Sequence, residues 1–127
     1  MAETKRKVII VDDDSLILNM YSLKFQKEGI ETEIFTSGEE FLDKIKKGDR
    51  ADLILLDIVI PGMSGMEVLS ELKKQGLAKE AKIIMLTNQN DENDIKRAEE
   101  LGVDRYIVKA TTIPSEVVKE ALKVMAK

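Results

Sequence analysis

Three four-residue stretches of this chain, Val8-Ile9-Ile10-Val11, Leu53-Ile54-Leu55-Leu56 and Ile83-Ile84-Met85-Leu86, contain no polar side chain. A strand with one wet face alternates polar and apolar residues, so strands without alternation must be covered on both faces. Two more runs complete a set of five. Thr32-Glu33-Ile34-Phe35 alternates, which suits a sheet edge, and Tyr106-Ile107-Val108 comes last. Between the runs the apolar residues change to helical spacing: Leu16, Met20 and Leu23; Phe41, Leu42 and Ile45; Val68, Leu69 and Leu72; Ile95, Ala98 and Leu101; and finally Val117, Ala121 and Val124 beside Val118, Leu122 and Met125. These helical stripes are all read as core.

Local punctuation agrees with that alternation. Ser37…Glu40 and Ser64…Glu67 have capping-box spacing and mark two helix starts. Gly29, Gly48, Gly76 and Gly102 stand where helical patterns end, and Pro114 stands where the last helix begins. Strand, helix, strand repeated five times with short connections implies an α/β fold, a (βα)5 doubly wound parallel sheet with helices on both faces. At 127 residues the chain has a one-domain length, and residues 1–127 are expected to form that one domain with no effector domain attached.

Composition narrows the chemistry. Hydrophobic residues make up 43% and charged residues 35%, too apolar a balance for a disordered chain. There is no cysteine, hence no disulfide framework or thiolate metal site, and a reducing compartment is the simplest setting. There is also no histidine, which removes Ser-His-Asp and Cys-His catalysis, histidine zinc sites and a histidine phosphocarrier role. A net charge of −4 disfavours direct nucleic-acid binding, and the short Lys5-Arg6-Lys7 cluster is read as solvated residues leading into the first strand. No apolar stretch approaches the roughly 20 residues that span a bilayer, and the N-terminus lacks a signal-peptide core. A cytoplasmic protein with no membrane partner is expected.

In a sheet of this kind ligands bind beyond the carboxyl ends of the strands. There the sequence puts Asp12, Asp13 and Asp14 after the first strand, Asp57 and then Ile58-Val59-Ile60-Pro61-Gly62 after the third, Thr87 after the fourth and Lys109 after the fifth. Clustered carboxylates repel one another unless a cation neutralises them, and all-oxygen ligands suit a hard ion such as Mg²⁺. A metal, a lysine and a hydroxyl together suit a phosphoryl group, and one of the carboxylates could serve as its nucleophile. Each residue alone has a plainer reading. Asp14 is expected to cap the first helix, Thr87 would be a turn residue, Lys109 a solvated charge and Tyr106 a packing aromatic. Gly62 and Gly65 are read as backbone necessities of their loop.

Taken in order, Val8-Ile9-Ile10-Val11-Asp12-Asp13-Asp14, Leu53-Ile54-Leu55-Leu56-Asp57, Pro61-Gly62-Met63-Ser64-Gly65, Leu86-Thr87 and Tyr106-Ile107-Val108-Lys109 resemble the receiver domain of two-component response regulators. The likeness spans essentially the whole chain, and the single-domain chemotaxis type is a close structural analogue. It implies a flavodoxin-like fold with strand order 2-1-3-4-5 and Asp57 as phosphoacceptor. It also implies Mg²⁺ held directly by Asp13 and Asp57, through water by Asp12 and by the Val59 carbonyl. Thr87 and Lys109 would contact the phosphoryl group, and Tyr106 would turn inward when Thr87 shifts. The implied partners are a sensor histidine kinase or phosphotransfer protein, which supplies the phosphoryl group. A downstream protein would be met through the fourth helix, fifth strand and last helix. Such a chain is a signalling phosphoacceptor, not an enzyme acting on other substrates.

The sequence departs from the family pattern at four places. Ala110 replaces the usual cis-linked proline after the lysine; a non-proline cis bond costs about 3 kcal/mol, which leaves the state of the Lys109–Ala110 bond and the path of the loop open between the family's form and a trans form. Asn88 is bulkier than the usual neighbour of the threonine. Val59, with Gln89, is expected to alter water access at the pocket mouth, and Ile60 is a packing variation. Ala110 and Asn88 keep open one alternative, a receiver-like binding module that signals without phosphate, although the full set of acids, Thr87 and Lys109 argues against it. A second alternative is a haloacid-dehalogenase-like phosphatase, with Asp12 as nucleophile and Asp14 as acid/base. It places Leu16 where that motif has threonine, lacks the late acidic pair and leaves Asp57 without a task. A flavodoxin is weaker still, because the loop after the first strand is acidic where a flavin phosphate needs hydroxyls and free amides.

Overall fold

The computed structural model describes residues 6–126. The chain runs β1 (Lys7–Val11), α1 (Ser15–Lys27), β2 (Glu31–Phe35), α2 (Gly38–Lys46), β3 (Leu53–Leu56), α3 (Gly65–Gln75), β4 (Lys82–Thr87), α4 (Glu92–Glu100), β5 (Arg105–Val108), a 3-10 turn at Lys109–Thr111, and α5 (Pro114–Met125). All strand pairs are parallel and their order is β2-β1-β3-β4-β5. The alternating strand is therefore an edge strand, as its pattern predicts, and the three uniformly apolar strands occupy the centre.

The two-residue period of a strand divides the core. Ile9, Val11, Ile54, Leu56, Ile83 and Met85 face one layer, with the apolar sides of α2 and α3 and with Ala98 of α4. Val8, Ile10, Leu53, Leu55, Ile84 and Leu86 face the other, against α1 and α5. Every residue of the central runs is thus covered, because each face of the sheet has its own helices.

Helix α1 requires a correction. Leu16, Met20 and Leu23 do share a face, but it points to solvent, with Leu16 78% and Leu23 60% exposed. The buried side is Leu18, Tyr21 and Phe25. Residues 16 and 18 lie about 200° apart around a helix, so this segment carries two apolar faces, and spacing alone does not say which is buried. The sheet takes the face with the two aromatics, which have the larger area to remove from water. On α4 only Ala98 is fully buried, with Ile95 and Leu101 half-exposed, so that stripe too is less central than its spacing suggests.

The helix ends follow the sequence signals with one reduction. Ser64 and Glu67 form both bonds of a capping box, whereas Ser37 accepts from the Glu40 N–H without the reciprocal bond. Gly29, Gly48, Gly76 and Gly102 all have positive φ, and Pro114 is the first residue of α5. Lys7 is not a solvated charge. Its ammonium lies 2.7 Å from both Glu33 and Asp49, below the sheet edge opposite the acidic one. Lys5 falls outside the described residues.

Candidate functional site

Strand order reverses between β1 and β3, and the crevice beyond their carboxyl ends receives Asp12 and Asp57 side by side. Both are backbone-anchored. The Asp12 N–H donates to the Phe35 carbonyl and the Asp57 N–H to the Val11 carbonyl, each at 3.0 Å, so the last ladder bonds of the sheet fix where the carboxylates start. Asp12 is 2% exposed, Asp57 7% and Thr87 0%, an unusual depth for two acids and a hydroxyl. Lys109, at the end of β5, reaches across the sheet edge. Its Nζ lies 2.5 Å from Asp12 Oδ2 and 2.9 Å from Asp57 Oδ2.

One ammonium shared by two buried carboxylates leaves each only partly compensated. Burial pushes the Asp12 carboxyl up, against the pull of Lys109 and of the Asp14 N–H. Burial alone would lower Lys109, but its bonds to Asp12 and Asp57 outweigh that and its pKa is raised, which keeps it cationic. Asp13 completes the cluster from an exposed position, and one oxygen from each of Asp12, Asp13 and Asp57 lies within 4.8 Å of the others. Three carboxylates against one ammonium leave a net charge of −2, which is what a divalent cation would neutralise. The donor set fits Mg²⁺: hard oxygens only, few protein ligands, and an open side where such an ion would keep waters.

These groups line an open cleft of about 300 Å³, whose mouth is shaped by Ile17, Val59, Asn88 and Gln89. Val59 is 56% exposed, and its N–H donates to Asp57 Oδ1 at 3.3 Å. Asp14 is the N-cap of α1, its carboxylate accepting from the Leu16 and Ile17 N–H groups, as its plainer reading predicts. That occupation removes it from the acid/base role the phosphatase alternative needs. The Lys109–Ala110 bond is trans, and the chain turns at once into the 3-10 segment.

Thr87 ends β4 with its hydroxyl turned to the next loop, where it accepts from the Gln89 N–H at 3.3 Å. The carbonyl of the same Gln89 accepts from the Tyr106 hydroxyl at 2.6 Å. The backbone of one residue thus joins the Thr87 and Tyr106 side chains. Nothing in the sequence announces this role, because backbone groups are the same whatever side chain they carry. Tyr106 itself is half-buried, with its pKa pushed up to about 12 by burial first and then by Asp94, Asp57 and Asp91.

Asp12, Asp13, Asp57, Val59, Thr87 and Lys109 are therefore gathered in one cleft, and Tyr106 stands one hydrogen bond beyond it. Residues 8–122 match the response regulator receiver domain family, and the chain belongs to that family. It is a receiver domain of the two-component type, with the CheY-like fold. Among solved structures it is similar to a CheY-like receiver domain protein from Methanospirillum hungatei JF-1, at 29% identity over 97% of this chain and 95% of that one, with a TM-score of 0.88. The Vibrio cholerae chemotaxis protein CheY4 is 30% identical over 95% and 99%, with a TM-score of 0.84. The beryllofluoride-activated receiver domain of DrrB is 27% identical over 98% and 100%, with a TM-score of 0.83.

Proposed function

We propose that this receiver accepts a phosphoryl group on Asp57, in a cleft that also holds Mg²⁺, and that Thr87 and Tyr106 relay its arrival. The observation that carries the reading is the Lys109 ammonium bridging two carboxylates that are almost wholly buried. Asp13 and Asp57 would ligate the ion directly, Asp12 through water and Val59 through its carbonyl. When bound there, Mg²⁺ offsets the negative charge of the phosphoryl oxygens.

The residues divide the remaining work. Asp57, anchored at the end of β3, presents a carboxylate oxygen to phosphorus, and the bond to the donor's imidazole nitrogen breaks in line with it. Lys109 is already beside Asp57 and follows the charge onto the phosphoryl group, which costs little reorganisation. Thr87 exchanges its bond from Gln89 for one to a phosphoryl oxygen. The Gln89 backbone then loses a partner, and Tyr106, bonded to that same residue, feels the change. The phosphoryl state thereby shifts an equilibrium between conformations instead of imposing a new one.

The partners supported by this reading are a histidine kinase or phosphotransfer protein as donor, and a downstream protein on the α4-β5-α5 face. The chain would catalyse only its own phosphorylation and dephosphorylation. Val59 and Gln89 at the mouth would set how readily water reaches the acyl phosphate. Among the described residues no helix is long and apolar enough to cross a membrane, and a cytoplasmic setting is proposed with the donor.

Amide NMR with Mg²⁺ and beryllofluoride tests the reading. Shifts at residues 12, 13, 57, 59, 87 and 109 that spread to Tyr106 are expected, and Asp57→Asn should lose them. Shifts kept in Asp57→Asn but lost in Asp12→Asn would move the acceptor to Asp12.

A further inference from the structure

Gly65, the first residue of α3, lies against the backbone of Asp57. A Cβ there would stand 1.9 Å from the Asp57 carbonyl oxygen, 2.7 Å from its carbonyl carbon and 2.8 Å from Ile58 Cα. Of the seven glycines it alone would meet backbone closer than 3.0 Å; an added atom at Gly62 meets the flexible end of the Glu39 side chain, and one at Gly38 meets the buried Val68 side chain, not the backbone of the site. Gly65 also returns a hydrogen bond, its N–H donating to the Ile58 carbonyl at 2.8 Å.

Neither partner in this contact is free to retreat. Asp57 is pinned behind by its N–H bond to Val11. Helix α3 is pinned by the burial of Met66, Val68, Leu69 and Leu72 and by the Ser64–Glu67 capping box. The element that must yield to a larger residue is the Asp57–Ile58 peptide between them. That peptide carries the Asp57 side chain at one end. At the other it leads to Val59, whose N–H bonds Asp57 Oδ1 and whose carbonyl the proposed function makes a metal ligand.

We propose that Gly65 is a positioning residue for phosphoryl acceptance: its bare Cα seats the Asp57–Ile58 peptide and so aims both the Asp57 carboxylate and the Val59 backbone at the cation. The proposal rests on the reading of Asp57 as acceptor and metal ligand. It assigns Gly65 a part in the geometry of the site, beyond permitting the loop to turn. Supporting groups one step removed from a metal ligand typically change affinity by roughly 10–100-fold when altered.

The test compares Gly65→Ala with Val124→Ala, a core truncation in α5 remote from the cleft. Thermal unfolding, the Val59 amide shift in metal-free protein and the Mg²⁺ dissociation constant are measured for each. Both variants should lose stability. Only Gly65→Ala should move the Val59 amide and weaken Mg²⁺ by roughly tenfold or more. Wild-type Mg²⁺ affinity in folded Gly65→Ala overturns the proposal. If that variant does not fold, Ser64→Ala frays the same helix start without adding a Cβ. It should weaken Mg²⁺ less but in the same direction, and unchanged affinity there overturns the proposal equally. A wild-type protein that binds neither Mg²⁺ nor beryllofluoride fails differently, since the remote variant then fails with it and the reading of Asp57 itself falls.

Discussion

Helices α3 and α4 each follow a strand that delivers a site residue, Asp57 beyond β3 and Thr87 at the end of β4, yet they are held very differently. α3 buries four large apolar side chains and starts on a complete capping box. At roughly 1.5–3 kcal/mol for each, that face removes on the order of 6–12 kcal/mol of apolar surface from water, before ordering entropy is subtracted. α4 buries Ala98 alone, and its N-cap Asp91 accepts only from Asn93. Elements with so little buried surface open at low cost. Under the proposed function, the acceptor Asp57 adjoins the more firmly packed of the two helices, and Thr87 leads toward the less firmly packed one.

The contrast can be broken first at the chemistry. Asp57→Asn should abolish Mg²⁺-dependent labelling by a small acyl-phosphate donor, whereas Thr87→Ala should leave labelling measurable and lose the shift at Tyr106. Equal loss in both would mean that Thr87 belongs to the fixed half of the site.

Next comes stability. Leu72→Ala in α3 should cost about 2–5 kcal/mol in urea unfolding, as fully buried leucines do. Ala98→Gly in α4 should cost about 1 kcal/mol. Similar losses from the two helices would erase the difference between them.

A smaller effect sharpens the mobile side. Tyr106→Phe removes the bond to the Gln89 carbonyl and should cost about 1 kcal/mol. Asp57 should still be labelled, but the response of α4 amides to beryllofluoride should shrink. An undiminished response would show that the Gln89 carbonyl plays no part in the relay.

The smallest effect is alkaline. Tyr106 ionises near 12 in the fold against 10.0 for an ordinary tyrosine, burial being the main cause. Between those values the folded state holds a proton that the unfolded state has lost, so the stability from the neutral phenol is complete below about 10 and declines as pH rises through about 12. Urea midpoints across that range should fall, and the fall should flatten in Tyr106→Phe. The same slope in both proteins would assign it to another group.

Most of the site was legible because its residues lie at strand ends. Once the apolar runs are recognised as strands, parallel pairing brings Asp12, Asp57, Thr87 and Lys109 to one edge with no further information. Asp14 was legible as a cap for the same local reason. The outward stripe of α1 was not, because two apolar faces on one helix satisfy the same spacing rule. Lys7 was misread because its partners Glu33 and Asp49 are far off in sequence. Gly65 was legible only as a loop glycine, since what it touches lies eight positions earlier along the chain, across a turn whose path the sequence does not print.

The amino-acid sequence by itself determined the strand–helix alternation, the edge place of β2, the helix ends and the identity of the charged groups at the sheet edge. These follow from periodicity, capping and backbone restriction, which act over a few residues. Only the tertiary structure decided which face of α1 the sheet would cover, that one lysine would bridge two acids, that the Gln89 backbone would join Thr87 to Tyr106, and that α3 would begin against Asp57. Those are distances between segments remote in the chain, set when two layers of helices close on a sheet, and no local pattern encodes them.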